Sequence, residues 1–253
     1  MNLDTHLLRR LQIKFWTGAA ALAPLAPFLY MQAVVTRWKV GLLPDAAGPF
    51  HGTAGSEGNQ ETLLVLGEST VAGLGARDHE RGLAGQFAGY LAAARHSTIN
   101  WHVLGKAGVT ARRTIDELLP HVPDLEFDHI LLGLGGNDVM KLSPPSRFRR
   151  DMAELIGRLR ERSPRASFYM SNCPMIILSP VIPWPSKQLL WELSKMHDLN
   201  MREMASILGG VQYFPQPVDV EPEGFFADGI HPSERGYCDW AEAMVRYFTQ
   251  AKR

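Results

Sequence analysis

Cysteine, metal-binding patterns and net charge are all scarce in this chain of 253 residues. Its two cysteines, Cys173 and Cys238, lack C-x-x-C spacing, so the sequence implies neither a zinc site nor a disulfide framework. Its nine histidines form no H-E-x-x-H pattern, and we expect no bound metal or other cofactor. Lysine plus arginine and aspartate plus glutamate number 26 each, a balance that argues against a nucleic-acid-binding protein.

Charge is also missing from a long stretch near the N-terminus. Residues 15–36 contain no aspartate, glutamate, lysine or arginine, and as a helix they would extend about 33 Å, enough to cross the hydrocarbon core of a bilayer. Pro24 follows the best small-residue cleavage pattern, which disfavours a removable signal peptide. We therefore predict an uncleaved membrane-anchor-like segment over residues 1–40. The alternative is a soluble cytoplasmic protein with this helix packed on the rest of the chain.

The rest of the chain alternates between short apolar runs and longer amphipathic segments. Residues 41–61 are rich in glycine, proline and alanine and predict a linker, which leaves residues 62–253 as the main folded domain. Within that domain we predict strands at 62–66, 99–104, 129–134, 167–171 and 211–214, and helices at 83–95, 110–119, 147–162, 184–208 and 233–249. Five β-then-α units predict an α/β fold, with a parallel sheet covered by helices on both faces.

Three of the predicted loops contain residues that carry chemistry. Ser69 ends the apolar run LLVLGEST, Asn137 belongs to GGND after a later strand, and Asp228 precedes His231 by three positions in DGIHPSERGY. Because the carboxyl ends of parallel strands share one edge of the sheet, we expect these loops to converge. Ser69 would then be a nucleophile, His231 the base that takes its proton, and Asp228 the group that orients the base.

Such a reaction also needs hydrogen-bond donors for an oxyanion, and three are available in these loops. They are the backbone amide of Ser69, the backbone amide of Gly108 in GKAGVTA, and the side-chain NH₂ of Asn137. Glycine at position 108 would let the backbone approach the substrate closely. Asn137 supplies a donor that stays uncharged at any working pH.

These positions resemble the SGNH/GDSL hydrolases, a family of serine esterases and lipases. The family is named for four residue types, which stand here as Ser69, Gly108, Asn137 and His231. The resemblance runs from about residue 61 to 248 and implies a three-layer α/β/α sandwich with a flavodoxin-like five-stranded parallel sheet. It also implies ester hydrolysis through an acyl-enzyme, without a metal. Glu68 stands where the family has the aspartate of Gly-Asp-Ser, and we expect this change to be tolerated because the nucleophile is unchanged.

Other interpretations of the same residues remain open. Each motif is rich in turn residues and has a plain structural explanation when taken alone. GESTV lacks the second glycine of the G-x-S-x-G elbow, which argues against an α/β-hydrolase fold. Residues 173–193 are apolar and predict either a stiff buried loop or one wall of an acyl pocket. The candidate functions are hydrolysis of a small or lipid-like acyl ester, and a catalytically idle membrane-tethered domain that binds acylated or glycan ligands.

Overall fold

The apolar runs of the sequence form one mixed sheet. The computed structural model describes residues 4–41, 43–216 and 223–250. Its strands are β1 (His51–Ala54), β2 (Gln60–Gly67), β3 (Thr98–Gly105), β4 (His129–Gly133), β5 (Ser167–Met170) and β6 (Val211–Tyr213). Strands β2 to β6 are parallel, and β1 pairs antiparallel with β3 at one edge.

The strand order explains where a site can form. The sheet runs β1-β3-β2-β4-β5-β6, so its five parallel strands have the flavodoxin-like order that we predicted. The antiparallel β1 is one strand more than the prediction. The order reverses between β2 and β4, which opens a crevice at the carboxyl ends of these two strands.

Helices cover both faces of the sheet and complete the predicted three layers. They are α1 (His6–Leu22), α2 (Ala26–Val40), α3 (Leu83–Arg95), α4 (Ala111–Glu117), α5 (Gly136–Met140), α6 (Pro145–Arg162), α7 (Ser186–Ile207) and α8 (Glu234–Gln250). Leu63 and Val65 of β2 join the core beneath α3 and α8, whereas Leu64 and Leu66 join the core beneath α4, α6 and α7. Successive side chains of a strand point to opposite faces, so a strand covered on both faces is apolar throughout.

Part of the predicted linker, residues 51–54, forms the edge strand β1 instead. Upstream of it, the Ala46 amide donates to the Ala72 carbonyl at 2.9 Å, and the Ala47 amide donates to the Arg77 carbonyl at 3.0 Å. An exposed edge strand is held by backbone hydrogen bonds and needs no apolar alternation, so its sequence HGTA gave no signal. Residues 46–54 are therefore attached to the sheet through β3 and to the loop that follows β2.

The N-terminal segment is one long helix with a local break. His6–Val40 spans 35 residues and contains an 18-residue window with a mean hydropathy of 1.5, so it is long and apolar enough to cross a membrane by length and composition. Prolines stand at the first turn of the 3₁₀ segment Ala23–Leu25 and of α2, where the missing N–H is tolerated. The start of α1 packs on α6 and α7 and buries Leu8 and Leu11.

Candidate active site

Ser69 lies in the turn that directly follows β2, at the carboxyl edge of the sheet. The Glu68 amide donates to the Gly133 carbonyl of β4 at 2.9 Å, so this turn stays joined to the neighbouring strand. The Leu74 amide donates to the Ser69 carbonyl at 3.1 Å and closes the loop on the other side. The backbone of Ser69 is therefore held at the point where the strand order reverses.

Asp228 and His231 form a compact turn opposite Ser69. One carboxylate oxygen of Asp228, Oδ1, accepts from the amides of Ile230 at 2.9 Å and His231 at 2.7 Å. The other oxygen, Oδ2, lies 2.8 Å from His231 Nδ1, and His231 Nε2 lies 3.2 Å from Ser69 Oγ. Residues 228–231 therefore form a turn, and this turn also places Asp228 and His231 in line with Ser69.

The charge of Asp228 follows from these contacts. Burial raises the pKa of Asp228, but hydrogen bonds from the His231 ring and from two backbone amides outweigh it and leave the pKa below its ordinary value. An ionised Asp228 accepts a hydrogen bond from the N–H at His231 Nδ1, and the tautomer that carries its proton on Nδ1 leaves Nε2 as an acceptor for the Ser69 hydroxyl.

Glu68 connects the Ser69 turn to α5. Its carboxylate accepts from the Gly136 amide at 2.7 Å, the Asn137 amide at 2.7 Å and Asn137 Nδ2 at 2.6 Å. A Cβ at position 136 would lie 2.9 Å from Glu68 Oε1, so glycine lets the carboxylate approach this closely without a shift. Burial raises the pKa of Glu68 to about 7, against the three N–H donors that favour the carboxylate. Glu68 therefore fixes the side chain of Asn137 beside Ser69.

Gly108 is glycine because of its backbone conformation, φ +80°, and not because of a close neighbour, since the space around its Cβ position is open. Its carbonyl accepts from Lys141 Nζ at 2.6 Å and from Arg113 Nη1 at 3.2 Å. Sequence reasoning missed both of these cations, which have no motif of their own. Within the described part of the chain, the amides of Gly108 and Ser69 have no hydrogen-bond acceptor, so both can serve a substrate oxygen.

A cavity of about 460 Å³ opens at Ser69. Of the predicted site residues, Ser69, Asn137 and His231 line it, whereas Asp228 lies behind His231 and Gly108 is not part of the wall. The first half of the apolar stretch 173–193 supplies one side of the cavity through Pro174, Met175, Ile176, Leu178 and Ile182.

Aromatic and charged residues also line the cavity. The aromatic residues are Phe214, Phe225, Phe226 and Trp240, and the charged residues are Glu223, Arg235, Asp239 and Arg246. Sequence reasoning did not select these residues, although Phe225 and Phe226 lie just before the Asp228 turn. Across the residues described, no group of three or more histidine, cysteine, aspartate or glutamate side chains is arranged to hold a metal ion.

The strand order and the serine–histidine contact define a flavodoxin-like α/β protein with a hydrolase-type site at its sheet reversal. Residues 65–237 match the family described as GDSL-like lipase/acylhydrolase. Because this match covers more than half of the chain, the protein belongs to that family of esterase- and lipase-like hydrolases, as the sequence motifs predicted. A comparison with curated protein sequences gave no significant match.

Several solved structures share the fold. A lipase from a goat rumen metagenome, Lip_vut3, has a TM-score of 0.58 at 18% identity, covering 76% of this chain and 97% of its own. The esterase EstA from Pseudoalteromonas sp. has a TM-score of 0.55 at 19% identity, covering 76% and 97%. A family two carbohydrate esterase from Clostridium thermocellum, an active-site mutant, has a TM-score of 0.55 at 14% identity and covers 75% of this chain. The match spans only 63% of that esterase.

Proposed function

We propose that the protein hydrolyses an acyl ester, with Ser69 as the nucleophile, His231 as the general base and Asp228 as its orienting partner. The observation that carries this proposal is the continuous set of contacts from Asp228 Oδ2 to His231 Nδ1 at 2.8 Å and from His231 Nε2 to Ser69 Oγ at 3.2 Å. A serine hydroxyl is a weak nucleophile until an adjacent base accepts its proton, and these distances meet that requirement.

In the first half of the reaction, Ser69 Oγ attacks the carbonyl carbon of the ester and its proton moves to His231 Nε2. The carbonyl oxygen becomes an oxyanion, for which the amides of Ser69 and Gly108 and the side chain of Asn137 are donors. Collapse of this intermediate breaks the ester bond. The departing alkoxide takes the proton from His231 and leaves as an alcohol, and the acyl group remains on Ser69.

In the second half, water attacks the acyl-enzyme and transfers one proton to His231. The same oxyanion donors stabilise the new tetrahedral intermediate, whose collapse breaks the bond to Ser69 Oγ. The serine oxygen recovers its proton from His231, and a carboxylic acid is released. Asp228 stays ionised throughout and stabilises the imidazolium at each proton transfer.

The cavity favours a lipid-like acyl group as substrate. Ile176, Ile182, Phe225 and Phe226 give it an apolar lining in the cavity that opens at Ser69, and an apolar lining binds acyl chains through the area that it removes from water. Arg235 and the other charged lining residues supply charge for a polar leaving group.

We further propose that residues 15–36 associate the protein with a membrane and that residues 62–253 supply the catalytic domain. The support is the length and hydropathy of His6–Val40. A membrane-bound esterase would meet its acylated substrate at the lipid surface, which agrees with the apolar walls of the cavity.

A fluorophosphonate probe tests the nucleophile directly, because it labels only a serine that an adjacent base activates. We expect labelling of wild type, none of Ser69→Ala, and equal folding of both by circular dichroism. A panel of acyl esters from two to sixteen carbons, with lysophospholipids and acetylated sugars, then identifies the acyl group and leaving group. Absence of labelling in folded wild-type protein would favour the idle binding domain instead.

A further inference from the structure

The helix His6–Val40 contacts the rest of the protein near both of its ends. Near its start, the Ser146 amide donates to Gln12 Oε1 at 3.0 Å, and Lys14 Nζ lies 3.1 Å from Glu192. Near its end, Gln32 Nε2 donates to the Trp184 carbonyl at 2.9 Å. The hydroxyl of Ser186 donates back to the oxygen of the same glutamine side chain at 2.7 Å.

These two sets of contacts are incompatible with a helix that crosses a membrane. Twenty positions separate Gln12 from Gln32, which corresponds to about 30 Å of helix, the thickness of the hydrocarbon core. A spanning helix would carry one of these residues to the far side of the bilayer, out of reach of a domain on the near side. In this arrangement the helix lies along the surface of the domain.

One face of the helix rests on the domain and the other is unpartnered. Leu8 and Leu11 near the start and Thr36 near the end are buried. The outward face exposes large apolar side chains at Trp16, Phe28, Tyr30, Met31, Val34 and Trp38. We call this face, together with the adjoining Trp184, which is 80% exposed, the apolar strip.

The composition of the apolar strip fits a lipid surface better than a second protein. Tryptophan and tyrosine concentrate at the boundary between lipid tails and headgroups, where a ring is half in water. Arg37 and Lys39 flank Trp38 at the end of α2, as basic residues do in helices that lie in the membrane plane. A residue of the catalytic domain, Trp184, adds to the strip, so the surface extends beyond the helix itself.

The inward face of the same helix adjoins the wall of the cavity. Leu11 belongs to the same apolar cluster as Ile176 and Ile182, and Phe15 packs against that cluster. The two isoleucines also line the cavity that opens at Ser69. We propose that the helix lies flat in the interface of a lipid bilayer, with Trp184 inserted beside it, so that a membrane lipid with an ester bond is the substrate class. The choice of substrate rests on the proposed esterase function, whereas the docking of the helix does not.

Cysteine accessibility on sealed liposomes separates a flat helix from a spanning one. Single cysteines replace Arg10, Lys39 and, on the domain, Arg158, in a Cys238→Ala background; Cys173 is buried and stays. The full chain is diluted from detergent onto preformed phosphatidylcholine–phosphatidylglycerol liposomes and treated with a membrane-impermeant maleimide. We expect all three sites to be labelled to the same extent. Labelling of Arg10→Cys or Lys39→Cys only after detergent is added would overturn the flat arrangement.

A liposome titration tests the domain side of the strip. Trp184→Ser should bind liposomes roughly tenfold more weakly, the scale expected for losing one buried large apolar side chain. The matched control is Leu125→Ser, which is also exposed but precedes β4, at the opposite edge of the sheet from Ser69. We expect the control to bind like wild type. Equal binding by Trp184→Ser and Leu125→Ser would refute the role of Trp184.

Two further measurements keep docking and catalysis apart. Ser69→Ala should bind liposomes like wild type, and fluorophosphonate labelling of Ser69 should be the same in wild type, Trp184→Ser and Leu125→Ser. Absence of labelling together with normal liposome binding would refute the esterase function but would leave the docking of the helix on lipid supported. A chain that does not float with liposomes but forms oligomers in detergent-free buffer would show that a second copy covers the strip.

Discussion

The active-site edge and the N-terminal helix depart from ordinary burial in opposite directions. At the edge, ionisable groups are buried: Glu68 is 6% exposed and Asp138 is 2% exposed. Along the helix, large apolar groups are exposed: Tyr30 by 74% and Trp38 by 83%. Burying a carboxylate and exposing an aromatic ring both cost free energy, so neither placement is explained by folding alone.

The difference lies in how each departure is compensated. Glu68 receives three N–H donors from Gly136 and Asn137, and Asp138 accepts from the Ala111 amide at 2.9 Å. The buried charges are therefore satisfied inside the molecule. The exposed rings of Tyr30 and Trp38 have no hydrogen bond or ring contact among the described residues, so folding leaves their apolar surface in water. The first pattern is typical of a preorganised site, and the second agrees with the proposed contact between the helix and a lipid surface.

Removing the proposed nucleophile, Ser69, should have the largest effect on the active-site side of this comparison. We expect Ser69→Ala to lose roughly 10⁴-fold or more in kcat, the scale of triad losses elsewhere, with an unchanged circular dichroism spectrum. Ser171→Ala is the matched control, because Ser171 lines the same cavity without contacting His231. A Ser69→Ala enzyme within tenfold of the control would refute the assignment.

Loss of the proposed oxyanion donor Asn137 should have the next largest effect. Asn137→Ala removes the side-chain donor while leaving its backbone contact to Glu68, so kcat should fall by roughly 10²–10³ with little change in KM. Steady-state kinetics on one ester separates the two parameters. A rise in KM at constant kcat would instead make Asn137 a residue that binds substrate in its ground state.

The buried carboxyl of Glu68 should make stability depend on pH. Its folded-state pKa of about 7 lies above the ordinary 4.5, so folding favours the protonated form. This stabilisation is complete below about pH 4.5 and is lost as the pH rises through 7. Since Glu68→Gln cannot titrate, the unfolding free energy of wild type relative to this variant should fall by about 2–3 kcal/mol from pH 5 to pH 8.

Urea unfolding at the two pH values measures that difference. Burial raises the pKa of Asp138 to about 6. Because Asp138 titrates in both proteins, its contribution to the pH dependence largely cancels in the difference between them. Glu126→Gln is the control, because Glu126 is an exposed carboxylate that pairs with Arg165 at 3.2 Å. A difference between wild type and Glu68→Gln that stays constant with pH would show that Glu68 does not take up a proton in this range.

The two faces of α1 offer a direct comparison within one helix. Leu11 is 6% exposed and Trp16 is 57% exposed. Leu11→Ala should weaken docking of α1 by about 2 kcal/mol, the lower end for a buried leucine, and so speed amide hydrogen exchange over residues 6–22 roughly thirtyfold. Trp16→Ala should leave exchange in detergent-free buffer unchanged. Equal exchange in both variants would mean that α1 does not rest on the domain.

The smallest effect should come from the cation that holds Gly108. Lys141→Met removes one of two donors to the Gly108 carbonyl, and Arg113 keeps the other. We expect kcat to fall up to about tenfold at constant KM, because the Gly108 amide loses alignment while remaining present. Lys106→Met is the control, since Lys106 contacts Glu117 in the same region. A matching loss in both variants would point to a general charge effect.

Much of the fold could be predicted because its elements have local signals. LAGQFAGYLAAAR has apolar residues at helical spacing, and the helix forms over Leu83–Arg95 as predicted. The buried run HILLGL predicted β4, whose residues are all buried. The edge strand β1 has no such signal, because its formation depends on backbone pairing with β3 rather than on its own side chains.

The site was partly predictable for a similar reason. Asp228 and His231 lie three positions apart, so their pairing is local and could be predicted from their spacing in the sequence. The contact between Lys141 and Gly108 joins residues 33 positions apart, and the contact between Gln32 and Trp184 joins residues 152 positions apart. Neither leaves a pattern in the sequence, since each depends on how distant elements meet after folding.

In the proposed membrane-docked arrangement, the attachment of Ala46 to the Ala72 carbonyl limits how far the domain that contains the cavity can move from the lipid. Only residues 41–45 lie between the end of α2 and this fixed point, a tether of roughly 20 Å at full extension. On so short a tether, the cavity meets lipid at a high effective concentration. Once the helix is docked, the search for substrate becomes two-dimensional, and the turnover rate should follow the surface density of the ester in the bilayer rather than its concentration in bulk solution.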